Sequence, residues 1–283
     1  MKKVQDTSAS SNDTPFDERV CMNGAIEDMR AGLISEYLYR VGIDLYKESL
    51  RRPVVDLAAD LRMVGGPSEL CKPLNVGLLF FSERPDEYFP SARIEVVDRP
   101  DPSGIGMTEK VFVGPLDRQL RDAIAYIRNY VVKERVSKVS DRAEAIRVFN
   151  FPPVAIEEAI SNAVYHRSYQ IGEPITVTVT PETLQITSLP GPGRTITDED
   201  IAQRKMVSKG CRNTRIGELL KELKLTRGRN TGIPAMLRAM EHNGSAMPTF
   251  ETDGERTYLT VTLPIHPMFL NRSVPAEEFP SWA

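Results

Sequence analysis

Glu158 and Asn162 stand four residues apart in AIEEAISNAVYHRSY, residues 155–169, a stretch with helical spacing of its apolar positions. Four residues make about one helical turn, so a carboxylate and a carboxamide share a face. Ile156, Ala159, Ile160, Ala163 and Val164 fall on a separate apolar arc. A carboxylate so placed can orient and deprotonate a water. A carboxamide oxygen can complete the shell of a magnesium ion that keeps most of its waters. Phosphates would then need backbone N–H groups, which a glycine loop running into a helix N-terminus supplies. RGRNTGIPAMLRAM has that form: Gly228 and Gly232 flank the loop, and Pro234 sits in the first turn of the helix. Two more glycine-bearing loops, LPGPGR and VSKGCRN, lie between these helices. Taken alone, a solvated helix face is the simpler reading of Glu158, whereas Asn162 is a poor helix former and hints at a specific partner.

Other chemistries are excluded by what the sequence lacks. It has no G-x-x-x-x-G-K-[ST] loop, no G-x-G-x-x-G after a strand, no H-E-x-x-H and no G-x-S-x-G. Three histidines leave little for a zinc site. Cys21, Cys71 and Cys211 are odd in number and lack metal-ligand spacing, which fits a reducing cytoplasm. The longest apolar run, VGLLFF at 76–81, falls far short of the roughly 20 residues a membrane helix needs, so no membrane contact is expected. The opening MKKVQDTSASSNDTP has no apolar core and is not a secretory signal.

Over 283 residues, 41% are hydrophobic and 27% charged, the balance of a soluble globular protein. A formal charge of −3 argues against a chain that coats itself in nucleic acid. A local basic run extends from Arg204 to Arg229 through Lys205, Lys209, Arg212, Arg215, Lys221, Lys224 and Arg227. Its simplest reading is a solvated helix face with loops.

The elements that would position these residues follow from periodicity. Helical spacing runs from Ala25 to Glu48, and PVVDLAADLRMVGG reads as a shorter helix ended by Gly65-Gly66. NVGLLFFS is a continuous apolar run of strand length, ARIEVVDR alternates strictly, and KVFVG is a further strand. PLDRQLRDAIAYIRNYVVKE is a long helix with Pro115 near its start. EAIRVFNFP leads as a strand into the Glu158 helix, and ITVTVTPETLQITS reads as a hairpin. Helices follow at TDEDIAQRK, TRIGELLKELKL and IPAMLRAMEHNG, and TFETDG with RTYLTVTLP closes the chain as a second hairpin. The expected fold is α/β (α+β): an N-terminal mixed α/β region, then an α/β sandwich whose mostly antiparallel sheet is covered by helices on one face.

The order of these motifs, EEAISNAVYHRSY, VTVTPETLQITSLPG, KGCRNTRIGELLKELKL, RGRNTGIPAMLRAM and FETDGERTYLTVTLP, resembles the C-terminal module of a prokaryotic family of RecG-like, AlbA/Schlafen-type transcriptional regulators. LNVGLLFFSERPDEYFPSARIEVVDR and TPFDERV resemble its preceding segment and hinge, so the likeness spans roughly residues 15–265. The module in turn resembles the Bergerat (GHKL) ATP-binding fold, in which a Glu-x-x-x-Asn pair supplies a general base and a magnesium ligand. The resemblance implies ATP and magnesium as cofactors, Glu158 as base, Asn162 as the magnesium ligand, and Gly228, Thr231 and Gly232 as the glycine loop. His166, Arg167, Gly191, Gly193, Arg212 and Asn213 fall in the other motifs and join the candidate nucleotide site.

Each of these has a structural reading as well. His166 could bond a loop or cap the helix end, Arg167 pair with an acid, and Arg212 be a surface cation. Asn213 could be an N-cap, and Gly191 and Gly193 could serve the turns around Pro190 and Pro192. The sequence also departs from the pattern. SLPGPG lacks the Asp with which Bergerat ATPases read adenine, Leu189 replaces the family's Asn, Ser168 replaces an acid, and the lid is short or absent. The missing Asp and short lid point to slow ATPase activity at most, and no helicase motor motif is present.

The expected organisation is a leader at 1–15, a connecting α/β domain at 16–146, the ATP-binding domain at 147–266 and a tail at 267–283. The leading functional expectation is an ATP/magnesium-binding regulatory module of a cytoplasmic transcriptional regulator. DNA contact is expected only through the family's N-terminal domain, outside this chain, and a homo-oligomer is compatible with the composition. The alternative is a degenerate Bergerat fold that binds no nucleotide and serves as an interaction or dimerisation scaffold.

Overall fold

A computed structural model describes residues 14–67, 70–138, 145–207, 210, 212–227 and 231–270. After two 3-10 turns, Phe16–Glu18 and Ile26–Asp28, come α1 (Ala31–Val41), α2 (Tyr46–Ser49), α3 (Val54–Asp60), β1 (Val64–Gly65), β2 (Lys72–Pro73) and α4 (Asn75–Phe81). Then follow β3 (Ile94–Asp98), β4 (Thr108–Phe112), α5 (Leu116–Tyr126), β5 (Glu134–Lys138) and β6 (Ala145–Phe149). The remainder is α6 (Pro153–His166), β7 (Ile175–Val179), β8 (Thr183–Ser188), α7 (Asp198–Ala202), α8 (Thr214–Glu222), α9 (Gly232–His242), β9 (Thr249–Glu251) and β10 (Leu259–Pro264).

The main sheet has six strands in the order β4-β3-β7-β8-β10-β9. Every neighbouring pair is antiparallel except β3 and β7, which run parallel with Ile94 opposite Ile175. Alternation along the strands decides which face is covered. Ile94, Val96, Ile175, Val177, Val179, Leu184, Ile186, Val261 and Leu263 are buried, and α5 and α6 pack against the sheet. The opposite face carries Glu95, Thr176, Thr178, Gln185, Thr187, Thr260 and Thr262, all half-buried. A Thr187–Thr260 hydroxyl bond of 2.9 Å ties its centre. The mixed α/β fold with a mostly antiparallel sheet is as the sequence predicts. The sheet takes β3 and β4 from before residue 146 and four strands from after it, and both stretches share one core.

Four expectations change. NVGLLFF is a helix, α4, not a strand, and all seven residues are buried. A short run that is apolar on every side carries no period, so helix and strand cannot be told apart from it. Gly77 brings α4 close to the preceding chain, because a β-carbon there would lie 2.8 Å from Met63 O. The predicted 25–48 helix breaks at Gly42, whose φ of +83° and the Ile43 N–H to Leu38 O bond close α1 in a left-handed cap. Helix α3 stops at Asp60, and Gly65 instead pairs with Lys72 in a two-residue ladder. The extended helix predicted through Glu134 gives way after Val131 to β5, which forms a ribbon with β6 apart from the main sheet.

Candidate functional site

Helix α6 opens on Pro152 as N-cap with Pro153 in its first turn, where a missing N–H has no intrahelical use. Its apolar arc, Ile156, Ala159, Ile160, Ala163 and Val164, is buried as the spacing predicts. The second face is not solvated: Glu158 is only 6% exposed. It meets the start of α9, with which α6 packs along its length. A β-carbon on Gly232, the first residue of α9, would stand 2.9 Å from Glu158 Oε2 and 3.1 Å from both amide atoms of Asn162. Gly232 therefore brings the N-terminal end of α9 close to a carboxylate and a carboxamide.

Glu158 has two unlike oxygens. Oε1 accepts from Nε of Arg227, which is half-exposed in the loop before α9. Oε2 is buried without a partner among the described residues. Burial pushes the Glu158 carboxyl above its ordinary value, and Arg227 opposes that shift. A carboxylate with a raised pKa and an idle oxygen has the chemistry of a proton acceptor. No cluster of three or more His, Cys, Asp or Glu side chains able to hold a metal occurs among the described residues. Asn162 and the idle Glu158 oxygen are the oxygen donors here.

The other candidates have different surroundings. Thr231 immediately precedes α9, and its carbonyl accepts the first helical bond, from Ala235 N–H. Gly228 lies outside the described residues. His166 ends α6 with its ring 4.4 Å from that of Tyr165. Burial, and next the Arg212 charge, bring its pKa down to about 4, so it is neutral near pH 7. Gly193 is exposed, and a β-carbon there would meet only Thr195 Oγ1, at 4.0 Å.

Four further candidates have partners within the fold. Arg167, 2% exposed, donates to the carbonyls of Ser91 and Glu173 at 2.7 Å and of Ser168 at 3.3 Å. Its ring neighbour is Tyr169, 4.8 Å away. Each of its three nitrogens thus donates one hydrogen bond to the backbone. Arg212 donates to His166 O and Gly191 O, both at 2.9 Å, tying the end of α6 to the LPGPG loop. Asn213 occupies the N-cap position of α8, but its side chain does not cap that helix. Its amide instead donates to Tyr165 O at 2.9 Å and Arg167 O at 2.8 Å. Gly191 is set against the 252–258 hairpin, since a β-carbon would lie 2.5 Å from Tyr258 O. Its N–H donates to Arg256 O.

Arg227 is the site residue that sequence reasoning placed elsewhere. It stood in a basic run whose described arginines prove to be committed locally: Arg204 to Pro248 O and Arg215 to Leu61 O and Glu218. Nothing in the spacing of residues 158 and 227 announces their ion pair. Gly217 was also legible only as a helix residue, yet a side chain there would overlap the ring of Tyr165.

Against known proteins, residues 172–263 match the family model described as "Putative ATP-dependent DNA helicase recG C-terminal". That segment of the chain is thus a RecG-C-terminal-like, ATPase-like module. The match begins after α6, so Glu158 and Asn162 lie before it, while Gly191, Gly193, Arg212, Asn213, Thr231 and Gly232 lie inside it. The crystal structure of the DIP2311 protein from Corynebacterium diphtheriae shares the fold, with a TM-score of 0.62 at 20% identity over 89% of this chain and 48% of that one. This chain therefore spans about half the length of that protein. The comparison with curated proteins finds no match. No described helix is long and apolar enough to cross a membrane.

Proposed function

We propose that the chain is an ATP/magnesium-binding regulatory module of Bergerat (GHKL) type from an AlbA/Schlafen-type transcriptional regulator. The observation that carries this reading is the meeting of Gly232 with Glu158 and Asn162. One helix start, one carboxylate with an idle buried oxygen and one carboxamide converge where no side chain intervenes. The residues fit the cofactor: Asn162 would hold magnesium, Thr231 and Gly232 would offer backbone N–H groups to phosphate, and Glu158 would orient a water. Bound ATP–magnesium would supply an electrophilic phosphorus with its charge neutralised. Arg227 is the cation paired with Glu158, and an incoming phosphate would compete with that carboxylate for it. While Arg227 holds Oε1, Glu158 is a weaker base, which accords with slow turnover at most. The ATP-dependent description of the matched family supports the same reading. DNA would be reached through a domain outside this chain, in a cytoplasmic setting.

A second reading is a scaffold that binds no nucleotide. It is favoured by the use of Arg167, Arg212, Asn213 and Gly191 to brace the fold, and by the Arg227–Glu158 pair. Calorimetric titration with ATP, with and without magnesium, separates the two. Magnesium-dependent binding that Asn162→Ala removes supports the first, and no heat at any accessible concentration supports the second.

A further inference from the structure

Helix α8 is capped by a residue almost two hundred positions away. Its Ile216 N–H donates to Asp17 Oδ2 at 3.0 Å, and Asp17 is fully buried. The turn bearing Asp17, Phe16–Glu18, is held in place by Asn75, whose Nδ2 donates to Phe16 O at 2.7 Å. The Phe16 ring stacks on Tyr169 at 6.5 Å. Asparagine is among the best N-cap residues, and Asn213 stands in the N-cap position with non-helical φ and ψ of −129° and 75°. Yet Asn213 gives its amide to Tyr165 O and Arg167 O at the end of α6. Its Oδ1, the atom a local cap would use, is buried without a partner among the described residues.

We propose that Asp17 and Asn213 are alternative caps of α8, and that docking of the Phe16–Glu18 turn decides which one serves. With the turn docked, Asp17 caps α8 and Asn213 is free to hold the carbonyls at the end of α6. With the turn withdrawn, the orphaned N–H groups of α8 recruit the idle Asn213 oxygen, and the α6 carbonyls lose their donor. Arg212, next to Asn213, links the same helix end to Gly191, so the last turn of α6 and the 189–193 loop loosen together. The two arrangements are discrete because they need different Asn213 rotamers: in the observed one Nδ2 bonds the α6 carbonyls while Oδ1 reaches no α8 N–H, so capping α8 requires the side chain to turn away from α6. The chain entering the domain at Thr14 thereby controls the order of the helix that carries Glu158 and Asn162. This switch goes beyond nucleotide binding and operates without it.

The test is amide hydrogen exchange of the whole chain in the absence of nucleotide, comparing Arg167 and Ser168 with Ile216. In Asp17→Ala, Arg167 and Ser168 should exchange about five- to tenfold faster, the equivalent of losing one cap. Ile216 should stay within about twofold of the wild type, because Asn213 takes over its cap. Asp17→Asn keeps an acceptor of the same shape and should restore the wild-type pattern. In an Asn213→Ala background, Asp17→Ala should deprotect Ile216 and leave Arg167 and Ser168 unchanged. Should Asp17→Ala not fold, Asp17→Ser, which shortens the cap, should show the same selective acceleration. Faster exchange at Ile216 alone, or uniform acceleration across the chain, would overturn the proposal.

Discussion

Gly232 and Glu158 meet across the α6–α9 interface with no room for a side chain between them: a β-carbon on Gly232 would lie 2.9 Å from Glu158 Oε2. The contact joins the first residue of one helix to a buried carboxylate on another, and it decides what the site can accept. The two helices can approach so closely only because this position is glycine.

Filling that gap should be costly and locally correctable. Gly232→Ala should destabilise the fold by about 1–3 kcal/mol, the usual cost of overpacking. Adding Glu158→Ala should recover most of that loss in urea unfolding. Additive losses would mean that the two positions do not compete for space. In folded Gly232→Val, affinity for ATP should be abolished.

Arg227 tests the electrostatics of the same carboxylate. Burial holds the folded pKa of Glu158 above its unfolded value of 4.5. The unfolded chain therefore releases the proton first, and the stability present below that value declines as pH rises through the folded pKa. Arg227→Ala removes the group that opposes this shift. The variant should lose about 1–3 kcal/mol near neutral pH, the cost of a buried acceptor left unpaired. The deficit should shrink in acid as Glu158 protonates, and Glu158→Gln in the same chain should flatten it. A deficit independent of pH would show that Arg227 acts through packing alone.

His166 gives the opposite sign. Its pKa falls from 6.5 to about 4 on folding, through burial first and the Arg212 charge second. Below 6.5 the unfolded chain takes up a proton that the folded chain refuses, so stability falls as pH drops from 6.5 towards 4. The loss should amount to as much as about 3 kcal/mol. His166→Gln should remove this part of the pH dependence in chemical denaturation between pH 4 and 7. An unchanged profile would mean that His166 titrates normally.

The sequence made the Glu158 helix legible because its apolar arc repeats at the helical period, and it made the hairpins legible because Ile175 to Ser188 alternates on both sides of a turn. The start of α9 was legible from Gly232 and Pro234. What stayed hidden was long-range. Asp17 reaching Ile216 and Arg227 reaching Glu158 leave no local trace, because the partners share no periodicity. Asn213 looked like a cap of the helix that follows it, which local preference favours, but caps the helix end before it. Helix α4 was misread because a uniformly apolar run has no polar face to set its period.

Arg167 separates bracing from binding. Lysine keeps the charge but has no planar fork to reach Ser91, Glu173 and Ser168 together. Arg167→Lys should lower stability by about 1–3 kcal/mol. At temperatures where the variant is folded, its affinity for ATP should be unchanged. A selective loss of affinity without loss of stability would return Arg167 to the ligand site.

The central claim is that Asn162 and Glu158 form one ligand site with Gly232. Its most direct measurement is calorimetric titration of the wild type, Asn162→Ala and Glu158→Gln with ATP, each with and without magnesium. The wild type should bind with a magnesium-dependent gain in affinity. Asn162→Ala should lose that gain, while Glu158→Gln, which keeps shape but cannot accept a proton, should bind as the wild type does and lose about 10²–10⁴-fold in any hydrolysis. No binding by the wild type, or identical magnesium-dependent binding by Asn162→Ala, would contradict the account.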